Sequence, residues 1–338
     1  MIKRLVLTLG DPAGIGPEIT AKTLANWPHE LGVRPVVVGS YERLRRAASI
    51  CKLELNVWRV QETELVAVGV DSDRRIPVID DDTWPDVSTI PFGRLDASAG
   101  EAAWQYLLRA VEICRRREAE ALVTAPINKQ AFFLAGHGDA GHTEMLRDLL
   151  GAPWSTTLFA TRNLRALFLT RHTSLREVIE ALNKDAIVTA IERFASVSAA
   201  IGLPDPRIAV AALNPHAGEG GHFGTEERDV LEPAVESARR LGLNVTGPVP
   251  ADSVFYLNAQ GQFDVVLCLY HDQASAPLKA VDFHGTVSVT LGLPFLRFSV
   301  DHGTAFDIAG RGVAEAANLQ AVVRYASEIV ALKDGGRR

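Results

Sequence analysis

The sequence predicts a two-domain α/β fold built on mostly parallel sheets, on three observations. Apolar runs of strand length alternate with helical patterns nearly throughout: Leu5–Leu9, Val36–Val38, Ala121–Ala125, Leu167–Thr170, Ile208–Leu213 and Val265–Tyr270. Continuous runs of this kind suit strands buried on both faces of a parallel sheet. Helix starts are readable between them. Finally, 338 residues that are 47% hydrophobic and 22% charged supply two cores of ordinary size rather than one.

In chain order, Arg4–Gly10 reads as the opening strand. It runs into Gly10-Asp11-Pro12-Ala13-Gly14-Ile15-Gly16-Pro17-Glu18, where Pro17 fits the first helical position. The glycines at 10, 14 and 16 lack the dinucleotide-fingerprint spacing, and no P-loop lysine follows. Two readings stay open: loop amides that bind an anion, or close strand-to-helix packing. Residues 52–95 hold short alternating segments, prolines and Asp80-Asp81-Asp82, and read as irregular strands and turns at a domain edge. Three consecutive carboxylates cannot all face one ion, so the acidic run reads as a solvated loop.

Ser98-Ala99-Gly100-Glu101 and Ser174-Leu175-Arg176-Glu177 both fit the capping box. Leu158–Ala160 and Arg165–Phe168 flank Thr161-Arg162-Asn163 as a hairpin, and Val313–Leu332 reads as a final amphipathic helix. The expected domains are 1–135 with 300–338, and 136–299, with turn-rich Ala135–Gly138 and a return crossing near Val300–Gly303 as the boundaries.

Composition narrows the class. Net charge is −6, and the nearest basic block, Arg115–Arg117, suits the end of a helix, so no nucleic-acid partner is expected. Cys51, Cys114 and Cys268 are far apart with no CxxC pair, which argues against a disulfide framework and a zinc knuckle. A reducing, cytoplasmic compartment is the default expectation. No signal-peptide pattern opens the chain, and no apolar run approaches the ~20 residues that span a bilayer.

Three histidines carry the strongest chemical signal. His172, His216 and His271 each follow a strand-like apolar run. Strands of an α/β protein deliver side chains to a common edge, where ligands gather. Three imidazoles there can hold a divalent metal with positions left open for substrate; the competing reading is three unrelated loop histidines. The segment Asn214–Gly224 has glycines at 218, 220, 221 and 224, with two histidines and Glu219 among them. Tyr270-His271-Asp272-Gln273 offers Asp272 either as the partner that fixes an imidazole tautomer or as a helix cap. Lys279, eight residues after His271, reads as a cation for a phosphate or a nascent alkoxide, or as a surface lysine. His142 and Thr143 begin a helix, and Arg297 lies among apolar residues, where a guanidinium needs a dedicated anionic partner. These residues leave metal-assisted redox chemistry, aldol cleavage and hydrolysis all open.

Read together, the segments resemble the 4-hydroxythreonine-4-phosphate dehydrogenase family of pyridoxal 5′-phosphate (vitamin B6) biosynthesis. They are GDPAGIGPE at 10–18, TAPINK at 124–129, GHTE at 141–144, LNPHAGEGGHFG at 213–224, PADSVF at 250–255, YHDQ at 270–273, TLGLPFLR at 290–297 and SVDHGTAFDIAG at 299–310. The resemblance implies two α/β/α domains with a central cleft, similar to isocitrate and isopropylmalate dehydrogenases. It implies a homodimer whose active site lies at the interface, with one divalent metal (zinc, magnesium or cobalt) on His172, His216 and His271, shared between subunits. NAD, with NADP as the alternative, is the implied oxidant, expected against Gly218, Glu219, Gly220, Asp252, Leu291 and Gly292. His142, Thr143, Lys279, Ser288 and Arg297 fall on the substrate positions, and Lys279, His142 and Asp272 on the catalytic ones.

The implied reaction oxidises 4-phosphooxy-L-threonine to 2-amino-3-oxo-4-phosphooxybutanoate, which decarboxylates to 3-amino-2-oxopropyl phosphate. Two departures bear on substrate: Ser288 stands where the family has asparagine, and Phe298 where threonine is usual. Relatives that oxidise threonate or erythronate 4-phosphate, or aromatic dihydrodiols, are the alternatives within the resemblance. A non-redox metal lyase or hydrolase is the alternative outside it.

Overall fold

The computed structural model describes residues 3–61, 75–138 and 140–332. Residues 62–74, part of the stretch read as irregular, lie outside the described residues. The chain forms two compact units, Met1–Ser155 with Leu293–Arg338, and Thr156–Gly292.

The first unit begins with β1 (Lys3–Thr8), α1 (Gly16–Ala25), β2 (Val33–Val38), α2 (Tyr41–Ile50), β3 (Val57–Val60) and β4 (Ile76–Ile79). It continues with α3 (Ala97–Arg115), β5 (Ala121–Thr124), α4 (Lys129–Leu134) and α5 (His142–Leu149). The second unit holds β6 (Thr156–Thr161), β7 (Leu164–Phe168), α6 (Leu175–Ala181), α7 (Lys184–Val197), β8 (Ile208–Ala211), α8 (Glu232–Arg240), β9 (Val245–Val249), α9 (Ala251–Ala259), β10 (Val265–Cys268), α10 (His271–Val281) and β11 (Val287–Leu291). The chain then returns to the first unit with β12 (Leu296–Ser299) and α11 (Ala317–Leu332).

In the first unit the strands lie in the order β3-β4-β2-β1-β5-β12, all parallel. Leu5, Val6 and Leu7 are fully enclosed, as continuous apolar strands in a two-faced sheet must be. β3 and β4 are regular members of this sheet, so that part of 52–95 is more ordered than its alternating sequence suggests. The acidic run that follows is ion-paired: Arg59 meets Asp80 and Asp82, and Arg109 meets Asp81.

The glycine-rich opening loop resolves to packing. Asp11 N donates to Pro126 O, Gly14 N to Asp11 O, Ile15 N to Thr304 O, and Ala13 N to the carboxylate of Asp11. These amides are spent inside the protein. A Cβ on Gly16 would come within 2.2 Å of Leu9 O, and one on Gly10 within 2.3 Å of Pro126 O. Glu18, buried on α1, accepts from Gly310 N and Gly312 N and ties the loop before α11 to α1.

The second unit orders its strands β11-β6-β7-β10-β8-β9. β6 and β7 form the expected hairpin and β6 also runs antiparallel to β11, while β7, β10, β8 and β9 are parallel. The carboxyl ends of β7, β10, β8, β9 and β11 therefore share one edge. Behind it Phe159, Phe168, Val266, Ala274 and Leu278 pack as a core.

The unit boundaries differ from the expected 135/136 and 299/300. α5 belongs to the first unit because Met145 packs with Ala103 of α3 and Phe132 of α4. β12 belongs there because it pairs with β5. His142, Thr143 and Arg297 thus lie in the first unit rather than the second. Ser174 and Glu177 form the expected capping box on α6. Ser98 does not cap α3: the helix starts two residues earlier than such a cap would set it, at Ala97, and Asp96 accepts from Ser98 N at 2.8 Å. Glu101 turns instead to Gln105 and to His137. Asp96→Ala is therefore expected to cost about 1 kcal/mol, and Ser98→Ala close to nothing, in denaturant unfolding. Equal losses for the two would place the cap elsewhere.

Candidate active site

Parallel pairing of β7 with β10, and of β10 with β8, is what gathers the histidines on one edge. His172 follows β7 by four residues and His271 opens α10 directly after β10. Their rings face each other with centroids 6.0 Å apart. They line a cavity of about 550 Å³ with Arg171, Ser174, Glu177, Tyr270 and Asp272. Asp272 Oδ1 lies 2.7 Å from His271 Nδ1, and Ser275 Oγ lies 3.3 Å from the same nitrogen. Tyr270, not Asp272, stands at the N-cap of α10. A carboxylate at Nδ1 places the proton there and turns Nε2, with its lone pair, outward.

His216 stands differently. It begins a left-handed run in which His216, Ala217, Gly218, Glu219 and Gly220 have φ from 42° to 78°. For the three non-glycine residues this conformation costs about 1–2 kcal/mol each, and backbone held in it against that cost clusters at functional loops. The exposed His216 ring lies 6.3 Å from that of Phe223. Among the described residues no group of three or more His, Cys, Asp and Glu side chains gathers closely enough to hold a metal ion. The structure thus brings His172 and His271 together and leaves His216 outside the pair.

Lys279 sits two turns along α10 from His271, with its amine 5.5 Å from the ring centre of Phe283. Ser288, on β11, faces Phe159 across the strand pair. Two residues on, Thr290 faces Thr157, whose hydroxyl accepts from Arg171 of the cavity at 2.7 Å. The expected nucleotide residues fall into two groups on this edge. Gly218, Glu219 and Gly220 lie after β8, on the loop against which α9, carrying exposed Asp252, packs. Leu291 and Gly292 end β11, four strand positions away, or about 19 Å at ordinary strand spacing.

In the first unit, Arg297 is buried on β12 and donates to Thr124 Oγ1 at 2.7 Å and 3.0 Å and to Thr143 Oγ1 at 3.4 Å. Thr124 in turn donates to Ser299. His142 Nε2 is buried with no hydrogen-bond partner among the described residues. Burial first, and the charge of Arg297 second, hold the His142 imidazole well below its usual range. Phe298 is fully buried on the opposite face of β12 and packs edge-on against Tyr325 of α11 at 6.2 Å. Its side chain faces the core rather than the Arg297 cluster.

Glu227, Thr124 and Arg171 also belong to these clusters, and the sequence patterns do not single them out. Glu227 is buried and accepts from the amides of Leu213 and Asn214. What signal it has is position: Glu226-Glu227 follows the glycine-rich loop at once.

The family model described as "Pyridoxal phosphate biosynthetic protein PdxA" matches residues 32–326. The chain belongs to the PdxA family. It is accordingly an enzyme, an oxidoreductase. A protein of Cutibacterium acnes, provisionally named D-threonate 4-phosphate dehydrogenase, is 45% identical over 96% of this chain and 93% of its own length. One of the same provisional name from Symbiobacterium thermophilum is 44% identical over 96% of both. The crystal structure of 4-hydroxythreonine-4-phosphate dehydrogenase from Klebsiella pneumoniae is 39% identical, covering 97% of this chain and 99% of that one, with a TM-score of 0.88. Among the described residues no helix of this PdxA-family chain is long and apolar enough to cross a membrane.

The depressed His142 gives a pH test. Below about pH 6.5 an unfolded histidine takes up a proton, and the folded His142 does not. The neutral ring's contribution to stability is therefore complete above that pH and lost as pH falls beneath it. His142→Gln is expected to flatten the fall of Tm between about pH 6.5 and 5. An imidazole resonance of His142 that titrates near 6.5 would contradict this reading.

Proposed function

We propose that this chain is an NAD-linked, divalent-metal-dependent dehydrogenase of a four-carbon 3-hydroxy acid carrying a 4-phosphate, active as a homodimer. The observation that carries the reading is the facing pair His172 and His271 over an open cavity, with His271 Nδ1 engaged by Asp272. Two outward imidazoles beside unfilled space fit a metal site, while His216 lies outside the pair in the same chain. In this reading His172 and His271 of one subunit are completed by His216 from a second copy. The bound ion, zinc on ligand grounds or magnesium or cobalt where oxygen ligands dominate, would supply Lewis acidity toward the substrate hydroxyl, and NAD or NADP would take the hydride.

The chain's own residues divide the remaining work. Asp272 holds the His271 tautomer. Lys279, or a water beside it, takes the proton of the 3-hydroxyl as hydride leaves C3. Arg297, with the hydroxyl of Thr143, binds an anionic group of the substrate, and the open nitrogen of His142 accepts a hydrogen bond from it. Glu219, Gly218, Gly220, Asp252, Leu291 and Gly292 are the proposed nucleotide contacts. Oxidation at C3 gives a 3-oxo acid, which loses its carboxylate as CO₂ and takes up a proton at C2.

The sequence reading placed 4-phosphooxy-L-threonine first. The names of relatives at 45% and 44% identity favour D-threonate 4-phosphate instead. Ser288 points the same way. An asparagine carbonyl accepts well from a 2-ammonium group, and the shorter serine forgoes roughly one hydrogen bond, about 0.5–1.5 kcal/mol. With the 2-hydroxy substrate the decarboxylated product is dihydroxyacetone phosphate. 4-Phosphooxy-L-threonine, named by the solved relatives, is the second reading.

NADH absorbance with metal-loaded enzyme distinguishes these. The expected kcat/KM is higher for D-threonate 4-phosphate, by about threefold to tenfold if one hydrogen bond decides, and Ser288→Asn is expected to narrow the gap. The reverse ranking would restore 4-phosphooxy-L-threonine; no NAD reduction with either compound would sink the dehydrogenase reading in favour of a non-redox one.

Metal sharing has its own test. Mixed dimers of His172→Ala and His216→Ala chains are expected to recover one intact site, and mixed dimers of His172→Ala and His271→Ala chains none. Recovery in the second mixture but not the first would put the division elsewhere.

A further inference from the structure

We propose that Glu227 is a positioning residue that holds the left-handed loop and thereby aims His216; the functional half of this inference rests on the metal reading above. Its carboxylate sits 2% exposed at the start of a single π-helical turn, Glu227–Leu231. Oε1 accepts from Leu213 N at 2.9 Å and Asn214 N at 2.7 Å, and Oε2 accepts from Asn214 Nδ2 at 2.9 Å. One charged group thus takes up the two amides that lead from β8 into the loop, and the side chain of the second.

The loop is shaped around this carboxylate. A Cβ on Gly218 would stand 2.8 Å from Glu227 Oε2, so only glycine lets the chain pass there, at φ 78°. Gly224 closes the same loop against the Asn214 amide, where a Cβ would lie 2.5 Å from Nδ2. That amide also donates to Glu226 Oε2 at 2.7 Å. Between these fixed points His216, Ala217 and Glu219 are held in backbone that L-residues avoid. His216 itself makes no part of the clamp; it projects from it. A buried charge that accepts three hydrogen bonds is a rigid anchor, because leaving those donors unmet in the interior is unfavourable. The anchor sits behind the backbone of a metal-ligand candidate rather than on its ring. Loss of such support typically lowers metal affinity while the ligand itself remains.

The test uses the intact dimer with Zn²⁺ alone as probe. Glu227→Gln keeps the size but replaces one acceptor oxygen with a donor facing Asn214 Nδ2. It is expected to speed amide exchange over residues 213–220, leave exchange in β7 and β10 unchanged, and weaken Zn²⁺ binding by about tenfold or more. Excess Zn²⁺ should restore kcat, since the ligand is still present. Gly218→Ala, which pushes on the same carboxylate from the loop side, is expected to do the same and serves if Glu227→Gln does not fold. Zn²⁺ affinity within twofold of the unsubstituted enzyme in these variants, while His216→Ala loses it, overturns the proposal and leaves the metal reading standing. Unchanged affinity in His216→Ala overturns the metal reading, and the positioning role falls with it.

Discussion

Parallel pairing on both sides of β10 is the constraint on which the second unit depends. A parallel strand needs a crossover at each end, so its amide and carbonyl groups are met by neighbours and both its faces are covered. Val265, Val266, Leu267 and Cys268 are all fully buried as a result. What leaves the sheet at the carboxyl end is then the first backbone free to reach solvent, and His271 stands three residues past β10. β7 and β8, in register with β10, deliver their own continuations to the same edge. The antiparallel β6 reverses once more into β11, so Leu291 and Gly292 emerge there as well. One edge collects every proposed metal and nucleotide residue of this unit, including Asp252 in the helix that follows β9.

That edge was legible in the sequence because buried parallel strands are written as unbroken apolar runs, which few other elements imitate. The hairpin at Arg162-Asn163 was legible for a similar reason, since two short apolar runs so close together have one way to pair. Helix ends were less so. Ser98 and Asp96 are both good caps, and Glu101 stands three residues from the first. Which cap wins depends on where the chain enters from the preceding loop, and the sequence carries no direct record of that.

Other features depend on contacts distant in sequence. Glu227 looks like any acidic residue of a first helical turn until the amides of Leu213 and Asn214 are seen to reach it. Phe298 sits next to Arg297 in sequence and on the opposite face of the strand in space, so a one-residue step separates a proposed ligand-binding side chain from a core one. The unit boundary moved because Met145 found a hydrophobic partner surface on α3 and α4, a tertiary contact no local pattern announces. The cysteines show how burial decides chemistry: burial pushes the Cys114 thiol up to about 12 and Cys268 higher still, so neither is a nucleophile.

In the reading proposed above, the cluster around Arg297 binds an anionic group of the substrate. Three hydroxyls, from Thr124, Thr143 and Ser299, line up with the guanidinium or with one another. These hydroxyls help to orient the guanidinium fork. The nearby His142 contributes no second positive charge, because burial and Arg297 itself keep it neutral. A second cation there would raise affinity for any phosphate, including inorganic phosphate. In the proposed reading the neutral ring, with Nε2 unprotonated, takes a hydrogen bond from a donor on the ligand. A phosphorylated hydroxy acid carries both on one short chain; a bare phosphate dianion carries only the charge. In the reading proposed above, discrimination in this unit draws on His142 as well as Arg297, and so on the burial that keeps the His142 ring unprotonated.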